Sequence, residues 1–209
     1  MNTDMNTVRL LGAAQVMIIV GFLITEQLQA SAVGSGSISD ILVNISKKLT
    51  LMRISNLAAL GQTLVIIAMG VLYYVVFYKE YKIIALVVLG CFLVAAISTV
   101  VSKIGAYALI PLSQEFVEAG APEPSYFQAQ GDFLYYGVDR RGIELYGLFT
   151  FLGFLLANYL LFISRSIPRA ISIFGLVAIC LLLIYQVLQL YDREFLPGAI
   201  ILAIPYVPY

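Results

Sequence analysis

The sequence predicts an all-α integral membrane protein: a bundle of five to six transmembrane helices with one interfacial amphipathic helix and one long capping loop. Of its 209 residues, 61% are hydrophobic and only 11% are charged, whereas soluble domains are about 45–50% apolar and about 25% charged. The apolar residues are gathered into runs long enough to cross a hydrocarbon core of ~30 Å. Short turns rich in lysine, arginine and tyrosine separate them, as at a membrane surface. Residues 1–209 are therefore interpreted as a single membrane domain.

Five apolar runs have the length of complete spans, and a sixth is partial. They cover residues 10–28, 54–78, 83–110, 143–163, 167–190 and, partially, 195–209. The first run also has features of an uncleaved signal sequence, because small residues follow it at Ala30-Ser31-Ala32. A transmembrane helix is favoured, since the run is long for a signal core and its basic flank is Arg9 alone. The last run contains three prolines and stops short of a full span, as expected of a truncated helix.

Two segments between the runs have their own patterns. Over residues 38–53, isoleucines and leucines recur at helical spacing opposite lysines, and Ser37 with Asp40 forms a capping pair. This pattern predicts a helix lying at the membrane interface, and it equally fits an amphipathic linker packed on the bundle. Residues 111–142 are rich in proline, acids and aromatics. Loops of this length are usually functional or disordered. Because the aromatic residues argue against disorder, we expect a folded cap over one end of the bundle.

The basic turns predict the orientation. Alternation of the spans puts the N-terminus on the same side as the turns Lys79–Lys82 and Arg165–Arg169. The opposite side holds more basic residues in total, but these two turns are short and adjoin helix ends, where the positive-inside rule is strongest. The prediction is a multi-pass protein of the inner (plasma) membrane with a cytoplasmic N-terminus and an outer loop at 111–142.

Several chemistries lack the residues that they need. The chain has no histidine, which is the commonest metal ligand and the usual general base near neutral pH. Cys91 and Cys180 lie within apolar runs and are interpreted as small hydrophobic residues. No nucleophile motif or phosphate-binding glycine loop is present. Equal numbers of acids and bases give no field for nucleic acid. No catalytic residue, metal site or cofactor is therefore predicted.

Polar side chains within or beside the spans are the candidate functional residues, because hydrocarbon makes them costly. We predict a polar binding cluster at the outer end of the bundle. Its members are Glu26, Arg53, Arg140, Arg141 and Glu144. The plainer interpretation, which is favoured, is that these are interfacial charges paired with each other or with headgroups. Lys103 is expected to extend along its helix to the interface.

Other in-span residues are expected to have structural roles. Gln186 and Gln189 share a helix face and are expected to hydrogen-bond between helices. Gly147, Gly153 and Gly175 are expected at points of close helix packing.

The fourth and fifth runs contain Tyr146-Gly147-Leu148, Phe151-Leu152-Gly153, the turn Arg165–Arg169 and the small residues of Gly175–Ala178. In these residues the chain resembles a bacterial multi-pass membrane family of unknown function, DUF4386. Weaker similarity is found at Glu26 and at Met52-Arg53. Family members often carry a histidine in the fourth span, where this chain has Phe154, and an acid early in the second, where it has Ala58-Ala59. The resemblance implies an architecture that usually includes a sixth helix.

The favoured function is a non-catalytic membrane subunit or scaffold that packs against other integral membrane proteins or binds membrane lipid. The first alternative is a small transporter, but no inverted repeat or mid-helix proline supports it. The second is an intramembrane enzyme acting on a lipid or isoprenoid, whose pocket would lie at the outer polar cluster with Asp192. Enzymatic activity is not favoured, because the motifs for it are missing.

Overall fold

In the computed structural model, which describes residues 5–122 and 126–191, the chain is helical and those residues form no strand. The predicted all-α membrane fold is confirmed. The helices are α1 (Met5–Val33), α2 (Ile38–Lys47), α3 (Leu49–Glu118), α4 (Tyr126–Asp132), a π-helix (Phe133–Arg140), α5 (Arg141–Ser164) and α6 (Arg169–Tyr191). Among the described residues, four helices are long and apolar enough to cross a membrane: Leu10–Val33, Leu49–Glu118, Tyr126–Ser164 and Arg169–Tyr191. The predicted partial span 195–209 lies outside the described residues.

Helix α3 is a hairpin of two arms that meet at Tyr81. The backbone leaves the helical conformation there, with φ −129° and ψ 41°. A Cβ added at Gly70 would lie 3.1 Å from Leu89 and 3.2 Å from Phe92, although 19 residues of straight helix would separate Gly70 from Leu89 by about 28 Å. The arms therefore fold back on each other around Tyr81.

The described residues group into two compact units. One contains residues 66–95 and 144–191 with the start of α1. Its centre is an aromatic stack in which Tyr73 lies 6.3 Å from Phe92 and Phe92 lies 5.3 Å edge-on from Phe154. Gln186 donates to the backbone carbonyl of Glu144 at 3.0 Å, as predicted for an interhelical hydrogen bond.

The three glycines predicted at points of close helix packing do lie against neighbouring side chains. A Cβ at Gly147 would meet Gln186, one at Gly153 would meet Phe92 and Cys91, and one at Gly175 would meet Asn158.

The other unit contains residues 12–65 and 96–143. Its core is formed by the apolar face of α2, the second arm of α3 and Tyr135 of the π-helix. The buried members from α2 are Ile38, Ile41, Leu42 and Ile45, and those from α3 include Met52, Ala106, Leu109 and Phe116. Protein therefore covers the apolar face of α2. This agrees with the interpretation of the segment as an amphipathic linker packed on the bundle. Helix α2 also ends at Lys47 rather than at residue 53, because Lys48 takes a non-helical conformation and Leu49 begins α3.

Helix replaces most of the loop that was predicted over residues 111–142. Helix α3 continues through Pro111 to Glu118, and helical structure resumes at Tyr126. Pro111 removes one backbone hydrogen bond, but Leu109, Leu112 and Phe116 continue the helical spacing and are buried in the core. The free energy gained by burying this apolar face outweighs the tendency of the proline to end the helix.

The capping pair of α2 is present and predicts a pH dependence. The Asp40 carboxylate accepts from the Ser37 hydroxyl at 2.7 Å and from its backbone N–H at 2.8 Å, and these bonds lower the pKa of Asp40. A lowered pKa in the folded state gives stabilisation that is present above the unfolded value of about 3.9 and is lost as the pH falls through the folded value. We therefore expect hydrogen-exchange protection of the first turn of α2 to fall in acid, and Ser37→Ala to weaken that dependence. Protection that does not change with pH would contradict the expectation.

Candidate functional site

A buried ion pair lies at the centre of the unit formed by residues 12–65 and 96–143. The Lys103 ammonium is 3.0 Å from Asp139 Oδ1, and the side chains are 2% and 0% exposed. Lys103 was predicted to extend to the interface, and this prediction was wrong. A buried ammonium is tolerated only where a counter-charge and acceptors meet it, and Asp139 brings that counter-charge from the π-helix.

Two neutral side chains complete the hydrogen bonding of the pair. Gln29 accepts from Lys103 Nζ at 2.8 Å through its amide oxygen and donates to Asp139 Oδ2 at 2.5 Å. The Ser102 hydroxyl donates to Asp139 Oδ1 at 2.5 Å. Both carboxylate oxygens of Asp139 therefore have partners. We call Gln29, Ser102, Lys103 and Asp139 the buried quartet, and it joins α1, α3 and the π-helix.

Close backbone packing holds these segments together on both sides of the quartet. A Cβ at Gly105 would lie 2.8 Å from the carbonyl oxygen of Leu134. One at Gly142 would lie 2.8 Å from the Cα of Ser102. Small residues let helices approach in this way within membranes. The approach brings Asp139, one turn before Gly142, within reach of Ser102 and Lys103.

A second, looser ion pair lies beside the quartet. Arg140 Nη1 is 3.9 Å from Glu26 Oε2, and each side chain is 33% exposed. This distance exceeds the 2.7–3.2 Å of a hydrogen bond. Arg140 also donates through Nε and Nη2 to the Tyr135 hydroxyl, at 3.1 and 2.7 Å. A π-helix bonds residue i to residue i+5, and this spacing brings Arg140 over Tyr135.

The predicted cluster is therefore assembled only in part. Glu26 and Arg140 are brought together, whereas Arg53 is exposed and has no hydrogen bond or ion pair with the described residues. Arg141 is exposed as well. Glu144 belongs to the other compact unit and is partly buried. The binding role of these residues stays a prediction.

Sequence reasoning missed three members of the quartet. A lysine inside a span needs a counter-ion. The presence of Lys103 could therefore have prompted a search for a buried acid such as Asp139. Gln29 follows Glu26 by three residues and so lies on the same face of α1. Nothing in the sequence, however, pairs residue 103 with residues 29 and 139, because that pairing depends on how the helices pack.

Another polar group in this unit has no described partner. Asn56 is fully buried, and neither its amide nitrogen nor its amide oxygen has a hydrogen-bond partner among the described residues. The described residues contain no group of three or more histidine, cysteine, aspartate or glutamate side chains able to hold a metal ion.

The comparisons with known proteins identify a family. No curated protein and no solved structure shows significant similarity to this chain. The family described as "Domain of unknown function (DUF4386)" matches residues 10–208. Since this match covers nearly the whole sequence, the chain is a member of the DUF4386 family of multi-pass membrane proteins.

Proposed function

We propose that this membrane protein is a non-catalytic subunit or scaffold that acts through its outer surface, by packing against other integral membrane proteins or by binding lipid. The observation that carries the proposal is the buried quartet. Its ammonium and carboxylate neutralise each other and accept or donate hydrogen bonds with Gln29 and Ser102, so we infer that these charges serve the fold rather than an open reaction site.

The surfaces of the helices support the same function. Large apolar side chains are exposed along them, including Leu23 at 59%, Leu64 at 69% and Ile83 at 78%. Such side chains need lipid or another apolar protein surface around them. We further propose that the protein lies in the inner (plasma) membrane with a cytoplasmic N-terminus, on the basis of its two short basic turns.

Extraction into native-lipid nanodiscs followed by native mass spectrometry tests the function. We expect the full chain to carry a second membrane protein in a fixed ratio, or a defined set of bound lipids. A chain that carries neither, or that chemically converts the lipids supplied to it, would contradict the proposal.

A small transporter is the second candidate, and the buried Lys103–Asp139 pair favours it, because ionisable residues within spans often mark ion pathways. In proteoliposomes holding a pH-sensitive dye, a transporter coupled to protons would move protons in a way that Asp139→Asn abolishes. Proton movement equal to that of empty liposomes would contradict this candidate.

A further inference from the structure

We propose that Glu26 and Arg140 form a binding site for the headgroup of a zwitterionic phospholipid, with the phosphate on Arg140 and a primary ammonium on Glu26. This inference rests on the proposed function and names the lipid class and the site. The ligand supplies the hydrogen bonds that the two side chains do not make to each other.

The first argument is the unused bonding capacity of the pair. Arg140 has five N–H donors, and Tyr135 accepts from only two of its nitrogens. At 3.9 Å from Glu26, the Nη1 group makes no hydrogen bond to that carboxylate. The Glu26 carboxylate has no hydrogen bond to a described side chain or backbone group. Both groups are charged, one-third exposed and close enough for one small zwitterion to reach both.

The second argument is the contrast with the neighbouring pair. Lys103 and Asp139 are closed off by Gln29 and Ser102 and are nearly inaccessible. The same helices therefore carry one ion pair that is buried and hydrogen-bonded by neighbouring side chains and one that is partly exposed. Because Tyr135 is itself in the core and accepts from two nitrogens of Arg140, the guanidinium is fixed in place, and its Nη1 makes no hydrogen bond to a described residue. Fixed, planar guanidinium groups are suited to bidentate binding of phosphate.

The third argument is depth along the helices. Lys103 follows Lys82 by 21 residues in the second arm of α3, which is about 32 Å at 1.5 Å per residue. That length is close to the ~30 Å thickness of the hydrocarbon core. If the turn around Tyr81 lies at one membrane surface, an unbroken helix of this length brings residue 103 to the opposite edge of the hydrocarbon core, with its side chain still enclosed by protein. Glu26 is one turn from Gln29 on α1, and Arg140 follows Asp139 directly.

The fourth argument is the apolar surface beside the pair. Leu23 lies one turn before Glu26 on α1, and Ile24 lies next to it. Their side chains are 59% and 53% exposed. Since the candidate span within α1 runs from Leu10 to Val33, these residues are nearer to the middle of the span than Glu26 is. Acyl chains of a lipid whose headgroup contacts Glu26 and Arg140 would pack on this surface.

Lipid retention tests the site. The full chain is reconstituted in vesicles containing equal amounts of phosphatidylethanolamine, phosphatidylcholine and phosphatidylglycerol, then extracted in mild detergent, and the bound lipid is measured by native mass spectrometry. We expect phosphatidylethanolamine to be enriched about fivefold, since one charge contact at a membrane surface is worth about that factor. Phosphatidylcholine lacks the N–H donors for Glu26, and phosphatidylglycerol lacks the ammonium.

Two variants separate the two halves of the headgroup. Glu26→Gln should remove the preference for phosphatidylethanolamine over phosphatidylcholine while phospholipid is still retained. Arg140→Gln should lower retention of all three lipids. Lys47→Gln is the matched control, because Lys47 is an exposed basic residue of the same unit and lies outside the predicted cluster, and it should leave retention unchanged. Unfolding by SDS is measured for each variant, so that loss of lipid is compared only between folded proteins.

The outcomes distinguish this inference from the proposed function. Lipids retained in proportion to their supply, or equal losses in Lys47→Gln and Arg140→Gln, would overturn the headgroup site and leave the proposed function standing. Water-soluble glycerophosphoethanolamine carries the same phosphate and ammonium, so it should displace part of the bound phosphatidylethanolamine from the unchanged protein but not from Glu26→Gln. Failure to retain any lipid or partner, in vesicles and in native nanodiscs alike, would overturn both.

Discussion

Asp139→Asn is expected to lower the free energy of unfolding by about 3–5 kcal/mol, the usual cost of breaking a buried ion pair by removing one partner. The substitution leaves the Lys103 ammonium, which is 1% exposed, without its counter-charge. Lys103→Met removes the other charge and should leave the Asp139 carboxylate with only Gln29 and Ser102. SDS titration of the purified proteins in mixed micelles measures both effects.

The double variant Lys103→Met/Asp139→Asn provides the decisive comparison. Because both charges are gone, the asparagine keeps the shape of the aspartate and can still bond to Ser102 and Gln29, so most of the lost stability should return. Asp132→Asn is the matched control on the preceding helix, since Asp132 is exposed, and it should change stability by no more than about 0.5 kcal/mol. If Asp139→Asn costs no more than this control, or the double variant is as unstable as the sum of the single variants, the quartet is not the centre of this unit.

The buried quartet shows where sequence reasoning stops. Hydropathy and the turn residues predict the spans, because each depends on neighbours along the chain. The helical spacing of Ile38, Ile41 and Ile45 likewise predicts the buried face of α2. What covers that face is decided by distant residues such as Ala106 and Phe116. For this reason the periodicity predicted the helix but left open whether membrane or protein covers it.

Residues 126–142 also show that local sequence patterns do not reveal contacts between distant residues. The prolines and acids of residues 111–142 are typical of a loop, and so Asp139 was assigned to one. In the structure Asp139 is on a helix and fully buried, because Lys103 neutralises it. A local sequence pattern treats every charged residue as polar and therefore as exposed. Two opposite charges that meet, such as those of residues 103 and 139, can nevertheless be buried together. The Glu26–Arg140 pair was predicted only as part of a larger cluster, for similar reasons: the sequence indicates which charges are near one end of the bundle, not which of them face each other.

Gly142→Ala is expected to cost about 1–3 kcal/mol of stability, the typical cost of inserting a methyl group into a packed interior. The new Cβ would lie 2.6 Å from Ser102 Cβ and 2.9 Å from its backbone nitrogen, and backbone cannot move aside as a side-chain end can. The start of α5 must then shift away from α3, and Asp139 shifts with it. Gly61→Ala is the control on α3, because no atom lies within 4 Å of its added Cβ. There the better helix propensity of alanine should stabilise the protein by up to about 1 kcal/mol.

The cost of Gly142→Ala should depend on the quartet, because the shift that relieves the clash also lengthens the Ser102–Asp139 hydrogen bond of 2.5 Å. Part of the cost is then the weakening of the ion pair. In the Lys103→Met/Asp139→Asn background that part is already lost, and the same substitution should be less damaging, with a coupling energy of about 0.5–3 kcal/mol. Strictly additive costs would mean that the close approach at Gly142 and the burial of the ion pair are independent features. A smaller cost in the double variant would instead show that the glycine is required at this position because it holds the aspartate against its lysine.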